Sequence, residues 1–268
     1  MRKYTKDKSH KEDRSVVVHK KDWFNDEESF DVGNIGISSK YQKSEGYIEP
    51  KVFVVIFMGG TDREPNYFKI ITGPRTKHLF SNIKVESFPS NYNPKKIFEE
   101  YAVLRVENYV SSMSKEHPDS FYFIVDVDDF RGELLEIKPK CEKIDLNLII
   151  SNPCFEVWLY YSERSDKFES FPYPTEDNPQ LSQNVKFWLG NESGIKGGIK
   201  TTKAIFNIRR NIENARNNYD IDNDGIPSLF STNMFELAEE ILPYIEDDLK
   251  NAKALSDEKK STYLGNKI

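Results

Sequence analysis

Three aspartates, Asp126, Asp128 and Asp129, close the apolar run FYFIVDV, which is typical of a buried strand. Side chains alternate along a strand, so Asp126 and Asp128 are expected to point to the same side. Two carboxylates placed in this way repel each other, and a divalent cation with oxygen ligands relieves the repulsion. The spacing therefore predicts a site for Mg²⁺ or Mn²⁺. The alternative is a solvated loop, or Asp129 as the N-cap of the next helix.

Two other segments could bring polar groups to the same place. Glu64 follows the Gly59-Gly60 turn after an apolar strand, where it could face the aspartates or simply stabilise the first turn of a helix. Asn152 and Glu156 lie in the segment SNPCFEVW, between a strand and a helix. That position suits the orientation of a phosphate, but it is equally explained by Asn152 as a helix cap and by burial of the aromatic residues.

Basic residues on a later helix are candidates for contacts with a nucleic-acid backbone. They are Lys203, Arg209, Arg210 and Arg216, which flank a stripe of isoleucines. The alternative is an ordinary solvated helix face.

The segment Asp220–Gly225 has the spacing DxDxDG, the first half of an EF-hand calcium loop. Its twelfth position is Ser231, which has no carboxylate, so the alternative is a polar turn between two helices.

Apolar runs and helical patterns alternate between residues 52 and 161. The predicted elements are strands at 52–58, 83–88, 121–127 and 146–150, a helix from Glu64 or Pro65, a long helix from Pro94 to His117-Pro118, a polar helical stretch after residue 129, and a helix over FEVWLYY with Asn152 as its N-cap. This alternation predicts an α/β fold with a mostly parallel sheet flanked by helices. Ligands should then collect at the carboxyl ends of the strands.

The chain divides into three parts by composition. Residues 1–49 are predicted to be a polar arm, residues 50–162 an α/β core, and residues 163–268 a loop-rich segment followed by helices at about 201–218 and 232–249 that pack on the core.

Composition narrows the class of protein. The 268 residues carry a formal net charge of −6, which argues against a broad basic surface for duplex binding, although not against a local cationic strip. Cys141 and Cys154 are expected to be buried thiols rather than a disulfide or a zinc site. No apolar run is long enough for a membrane span and no secretory signal is present, which predicts a cytoplasmic protein.

Three segments, in order, resemble the RloB-like family: Glu64-Pro65-Asn66-Tyr67-Phe68 after a glycine turn, FIVDVDD at residues 123–129, and SNPCFEVWL at residues 151–159. A fainter similarity lies in Ser231-Thr232-Asn233 and the helix after it. The resemblance covers about residues 52–245. It implies a Toprim-like fold with a C-terminal helical extension, in a family associated with prokaryotic defence loci.

The resemblance also implies chemistry: an Asp-x-Asp pair and a glutamate that bind Mg²⁺ for phosphodiester hydrolysis of DNA or of RNA such as tRNA. The pair corresponds to Asp126 and Asp128, and Asp129, Glu64 and Glu156 are further carboxylates. Asn152, Arg209 and Arg210 are the expected substrate contacts. An ABC-type ATPase partner is implied as well.

The first-strand motif departs from the family pattern, since Met58-Gly59 or Gly59-Gly60 stands where a Glu-Gly pair is usual. The alternative function is therefore a catalytically degenerate scaffold that binds nucleic acid or an ATPase.

Overall fold

The computed structural model describes residues 53–57, 63–72, 83–88, 93–112, 120–172 and 179–265. The predicted polar arm, the Gly59-Gly60 turn and the helix stop at His117-Pro118 lie outside these residues. The fold is mixed α/β.

Four strands pair in parallel to form one sheet. They are β1 (Phe53–Phe57), β2 (Ile83–Ser87), β3 (Ser120–Asp126) and β4 (Leu146–Ser151), in the order β2-β1-β3-β4. The prediction of a parallel sheet is confirmed. Strand β3 lies between β1 and β4, and its last residue, Asp126, is in register with Ser151, the last residue of β4.

Helices connect and follow the strands. They are α1 (Arg63–Thr72), α2 (Pro94–Ile97), α3 (Val103–Ser112), α4 (Arg131–Glu142), α5 (Glu156–Tyr161), α6 (Leu181–Asn191), α7 (Thr201–Phe206), α8 (Ile208–Asn217) and α9 (Met234–Gly265), with a π-helical turn (Phe98–Ala102) between α2 and α3. Within the described ranges, no helix is both long and apolar enough to cross a bilayer.

The two faces of the sheet bury separate hydrophobic clusters, as the alternation of side chains in β3 requires. Tyr122 and Ile124 belong to a cluster that includes residues of α1 and α5–α9, whereas Phe121, Phe123 and Val125 belong to one that includes residues of α2, α3 and α4. The helices after residue 163 thus share a core with the sheet. Both cysteines are buried free thiols, as expected.

Three predictions about the second half of the chain need correction. Helix α6 lies within a segment expected to be loop-rich; its buried stripe, Leu181, Val185, Trp188 and Leu189, was obscured by the prolines before it and the glycines after it. Asn152 is not the N-cap of α5, because that helix begins at Glu156 and the Asn152 amide instead donates to the carbonyl oxygen of Pro227 at 2.8 Å. The helix predicted at 201–218 is also interrupted, at Asn207.

The outer edge of β4 is covered by the segment Ser231-Thr232-Asn233. The Asn233 side chain acts like a neighbouring strand, since its Oδ1 accepts from the Ile150 backbone amide at 2.7 Å and its Nδ2 donates to the Leu148 carbonyl at 3.1 Å. Ser151 Oγ and Thr232 Oγ1 are 2.8 Å apart. These bonds satisfy an edge that would otherwise present unpaired backbone groups.

Replacing Asn233 by alanine is expected to lower the free energy of unfolding by roughly 2–3 kcal/mol, because two backbone groups of β4 lose their partners. Urea denaturation measures this loss. Asn191→Ala is the matched control, since its exposed amide donates to the Phe187 carbonyl of its own helix. Equal stability of the two variants would show that Asn233 does not hold the edge.

Candidate active site at the carboxyl ends of the strands

The turn after β3 is fixed by the loop after β4. The Val127 amide donates to the Ser151 carbonyl and the Asp128 amide to the Pro153 carbonyl, both at 2.9 Å. Asp128 has a positive φ of 33°, a region that aspartate tolerates better than most residues. Because the strand ends at Asp126, the position of Asp128 is set by these backbone bonds rather than by strand alternation.

Asp126 is surrounded by other carboxylates. Its pKa is raised well above the usual value, first by burial and then by the negative charges of Glu64, Glu156 and Asp128. The charge of Lys186 acts in the opposite direction. Three of the carboxylates selected from the sequence, Glu64, Glu156 and Asp128, therefore act on the fourth, Asp126.

Glu64 and Glu156 reach this site from two helix N-termini. Glu64 lies in the first turn of α1 and Glu156 is the first residue of α5, and their exposed fractions are only 7% and 6%. Both positions favour a negative charge through the helix dipole. The chain thus buries two acidic side chains beside the aspartates at the edge where the strands end.

Cys154 lies against the same group. Burial raises the pKa of its thiol well above the usual value, and the charges of Glu156 and Asp126 raise it further. It is therefore held protonated, which makes it a weak nucleophile.

Two cations partly balance the carboxylates. Arg63 Nε is 3.8 Å from Glu156 Oε1. Burial lowers the pKa of Lys186, but the negative charges of Glu156, Asp126 and Asp128 act against that effect, and the net shift is upward. Lys186 was missed in the sequence because it belongs to α6, which was expected to be loop.

The donor set suits a divalent cation in chemistry and in charge. Its oxygen donors, Glu64, Asp126, Asp128 and Glu156, are those that Mg²⁺ prefers, and they outnumber the nearby cations Arg63 and Lys186. In the described parts of the chain, however, no three acidic, histidine or cysteine side chains are already arranged around a common point as ligands. A cation would have to draw the carboxylates together.

A cavity of about 250 Å³ opens beside Asp128 and Asp129. Asn152 and Ser182 form part of its wall. Asn152 also has a structural task, because its amide holds Pro227 and its backbone N–H donates to the Ser231 carbonyl at 3.0 Å. Asp129 is exposed at the cavity rim.

The model of the family described as RloB-like protein matches residues 54–241, which is more than two thirds of the chain. The chain belongs to the RloB-like family. The matched region contains all four interacting carboxylates, Asn152 and Lys186. No curated protein and no solved structure matches the chain.

Two other candidates of this RloB-like chain, Arg209 and Arg210, line a different cavity, between α8 and α9. Arg209 forms a two-pronged contact with Glu246 at 2.6 and 2.5 Å, and Arg210 donates to the Glu163 carbonyl at 2.9 Å. Both contacts hold helices and loops of the protein together. The structure does not bring these arginines to the acidic site.

The DxDxDG segment of the RloB-like chain forms a turn held by cations. Arg131 Nη2 contacts both Asp222 and Asp224. Burial acts to raise the pKa of Asp222, but hydrogen bonds from Arg131 and the Ile226 amide lower it on balance. This arrangement favours the polar turn over a calcium loop, since the carboxylates already have a positive partner.

Proposed function

We propose that this RloB-like protein is a metal-dependent nuclease with a Toprim-like core that acts as an effector in prokaryotic defence against phage. The carrying observation is the state of Asp126, which lies half-buried at the end of a central strand and is acted on by the charges of three other carboxylates, two of them buried. Ionising four neighbouring carboxylates where access to water is limited is unfavourable without a bound cation. The defence role follows from the family and not from the site.

The aspartates and the glutamates have different roles in this proposal. Asp126 and Asp128 hold Mg²⁺ or Mn²⁺, with Asp129 at the rim as a further oxygen donor. The ion, when bound, polarises the phosphodiester and offsets charge that develops during hydrolysis. In this proposal Glu64 and Glu156 accept a proton from the attacking water. Asn152 keeps the cavity wall in position through its bond to Pro227.

Mn²⁺ titration by calorimetry tests the proposal. The full-length protein should bind Mn²⁺, and Asp128→Asn should weaken binding about tenfold or more because a ligand charge is lost. Asp222→Asn is the control, since that carboxylate is already paired with Arg131. Affinity should rise with pH, because protons compete for Asp126, whose pKa is raised.

A cleavage assay with the same proteins tests the activity. Mn²⁺ with single-stranded DNA, duplex DNA and tRNA should yield products from at least one substrate. Absence of Mn²⁺ binding, or binding that Asp128→Asn leaves unchanged, would refute the nuclease assignment.

A second function is favoured by a specific observation: the usual first-strand glutamate is missing, and Lys186 and Arg63 already offset part of the acidic charge. In this alternative the protein is a degenerate scaffold that binds nucleic acid or an ABC-type ATPase. A scaffold should bind its partner with equal affinity in Mn²⁺ and in EDTA.

A further inference from the structure

Helix α6 packs against α5, the helix that begins with Glu156. Its buried side chains pack in the same cluster as α5, and the ring of Trp188 lies 6.1 Å from that of Tyr160 and 5.5 Å from that of Phe171. Lys186 and Phe187, on the same helix, are exposed. The helix therefore presents these two side chains from a rigid base.

The first turn of α6 forms one wall of the cavity beside Asp128. Leu181 and Ser182 line it, and Ser182 Oγ is buried with no hydrogen-bond partner. Lys186 follows Ser182 by four residues, so both lie on the same side of the helix. Its charge acts on Asp126, Asp128 and Glu156, so this cation lies near the acidic residues and one helical turn after the cavity wall.

Phe187 is 59% exposed and adjoins this cation in the sequence. Among the described residues with large apolar side chains on the surface, it is the aromatic one; the others are Leu104, Leu135 and Ile221. An isolated exposed apolar residue is ordinary. An exposed aromatic ring and a lysine at consecutive positions of a helix that borders a site for phosphodiester chemistry match the combination by which proteins bind unpaired nucleotides.

We propose that α6 binds a single-stranded stretch of nucleic acid, with Lys186 on a backbone phosphate at the acidic site and Phe187 stacked on an unpaired base. The inference rests on the proposed nuclease function and specifies its substrate class. Duplex nucleic acid keeps its bases stacked internally, so it cannot use Phe187 in this way. The protein should therefore prefer single strands.

Fluorescence anisotropy with a labelled twelve-nucleotide oligo-dT and a duplex of equal length measures this preference. Ca²⁺ replaces Mg²⁺ to hold back cleavage. Phe187→Ala should weaken single-strand binding about tenfold and leave duplex binding unchanged. Lys186→Met should weaken binding to both and reduce the slope of log affinity against log salt by about one, and Lys186→Arg should restore that slope.

The control for Phe187→Ala is Leu104→Ala, since Leu104 is a similarly exposed apolar residue on α3. The control for Lys186→Met is Lys143→Met, since Lys143 is an exposed lysine just before β4, at the amino-terminal ends of the strands. Neither should change affinity or salt slope.

Wild-type affinity and salt slope in both α6 variants would overturn the proposal, even if Mn²⁺ binding and cleavage persist. Absence of any oligonucleotide binding would overturn it as well. Binding that depends on Phe187 in a protein that does not bind Mn²⁺ would instead support the α6 surface and refute the nuclease.

Discussion

Asp126→Asn should abolish Mn²⁺-dependent cleavage and, at the same time, make the protein more stable at neutral pH. The loss of activity should be on the order of 10³-fold, since a bound metal ion contributes several kcal/mol to transition-state stabilisation. The gain in stability has a separate cause. The wild-type carboxylate must ionise in a shielded place beside Glu64 and Glu156, whereas the neutral amide does not.

The sign of the pH dependence follows from the raised pKa of Asp126. Between the unfolded value of about 3.9 and the higher folded value, the folded state holds more protons, so wild-type stability falls as pH rises. Above the folded pKa the penalty is complete. The Asn variant lacks this penalty, so its advantage should be absent below about pH 4 and largest at pH 8.

Urea denaturation at pH 4 and pH 8 measures the effect on stability, and an Mn²⁺-dependent cleavage assay measures the effect on activity. Asp145→Asn is a suitable control, because Asp145 is exposed and lies at the amino-terminal end of β4, away from the acidic site. Its left-handed backbone is one that asparagine also tolerates. If Asp126→Asn destabilises the protein at pH 8, the acidic cluster is not under electrostatic strain. If it retains cleavage, Asp126 is not a metal ligand.

The sheet could be predicted from the sequence because its strands are apolar runs whose local pattern and tertiary burial agree. The grouping of the carboxylates could be predicted from the sheet, since the carboxyl ends of parallel strands lie side by side. Asp126, Asp128, Glu64 and Glu156 were selected on that argument, and in the structure the other three act electrostatically on Asp126.

Contacts between distant segments could not be read from local pattern. The Asn152 side-chain amide donates to the carbonyl of Pro227, 75 residues later, so the prediction that Asn152 caps the next helix was wrong. Arg131 pairs with Asp222 across 91 residues, which turned an apparent calcium motif into a neutralised turn. Lys186 belongs to a helix whose apolar stripe was overlooked, and its proximity to Asp126 depends on how that helix packs.

The segment SNPCFEVWL combines support and chemistry, which explains why its residues have such different roles. Asn152 fixes the loop at Pro227, and Glu156 carries negative charge into the site. Between and after them, Phe155 and Trp158 are fully buried. The buried aromatic residues therefore determine where the acidic residues stand.

Trp158→Ala should lower the free energy of unfolding by about 3–5 kcal/mol, the range for removal of a fully buried large aromatic side chain. The indole packs edge-on against Tyr67, with ring centroids 6.3 Å apart. Tyr67 follows Glu64 by three residues in α1, and Trp158 follows Glu156 by two in α5. Removing the indole therefore loosens the contact that positions both glutamates.

Trp158→Phe is the matched variant, because it keeps an aromatic ring in the core and removes an indole N–H that has no hydrogen-bond partner. It should cost under about 2 kcal/mol and retain Mn²⁺ affinity. Trp158→Ala, in urea denaturation and Mn²⁺ calorimetry under conditions where it remains folded, should show both the larger loss of stability and weaker binding. A variant that loses stability but binds Mn²⁺ as tightly as wild type would show that the site does not depend on this packing.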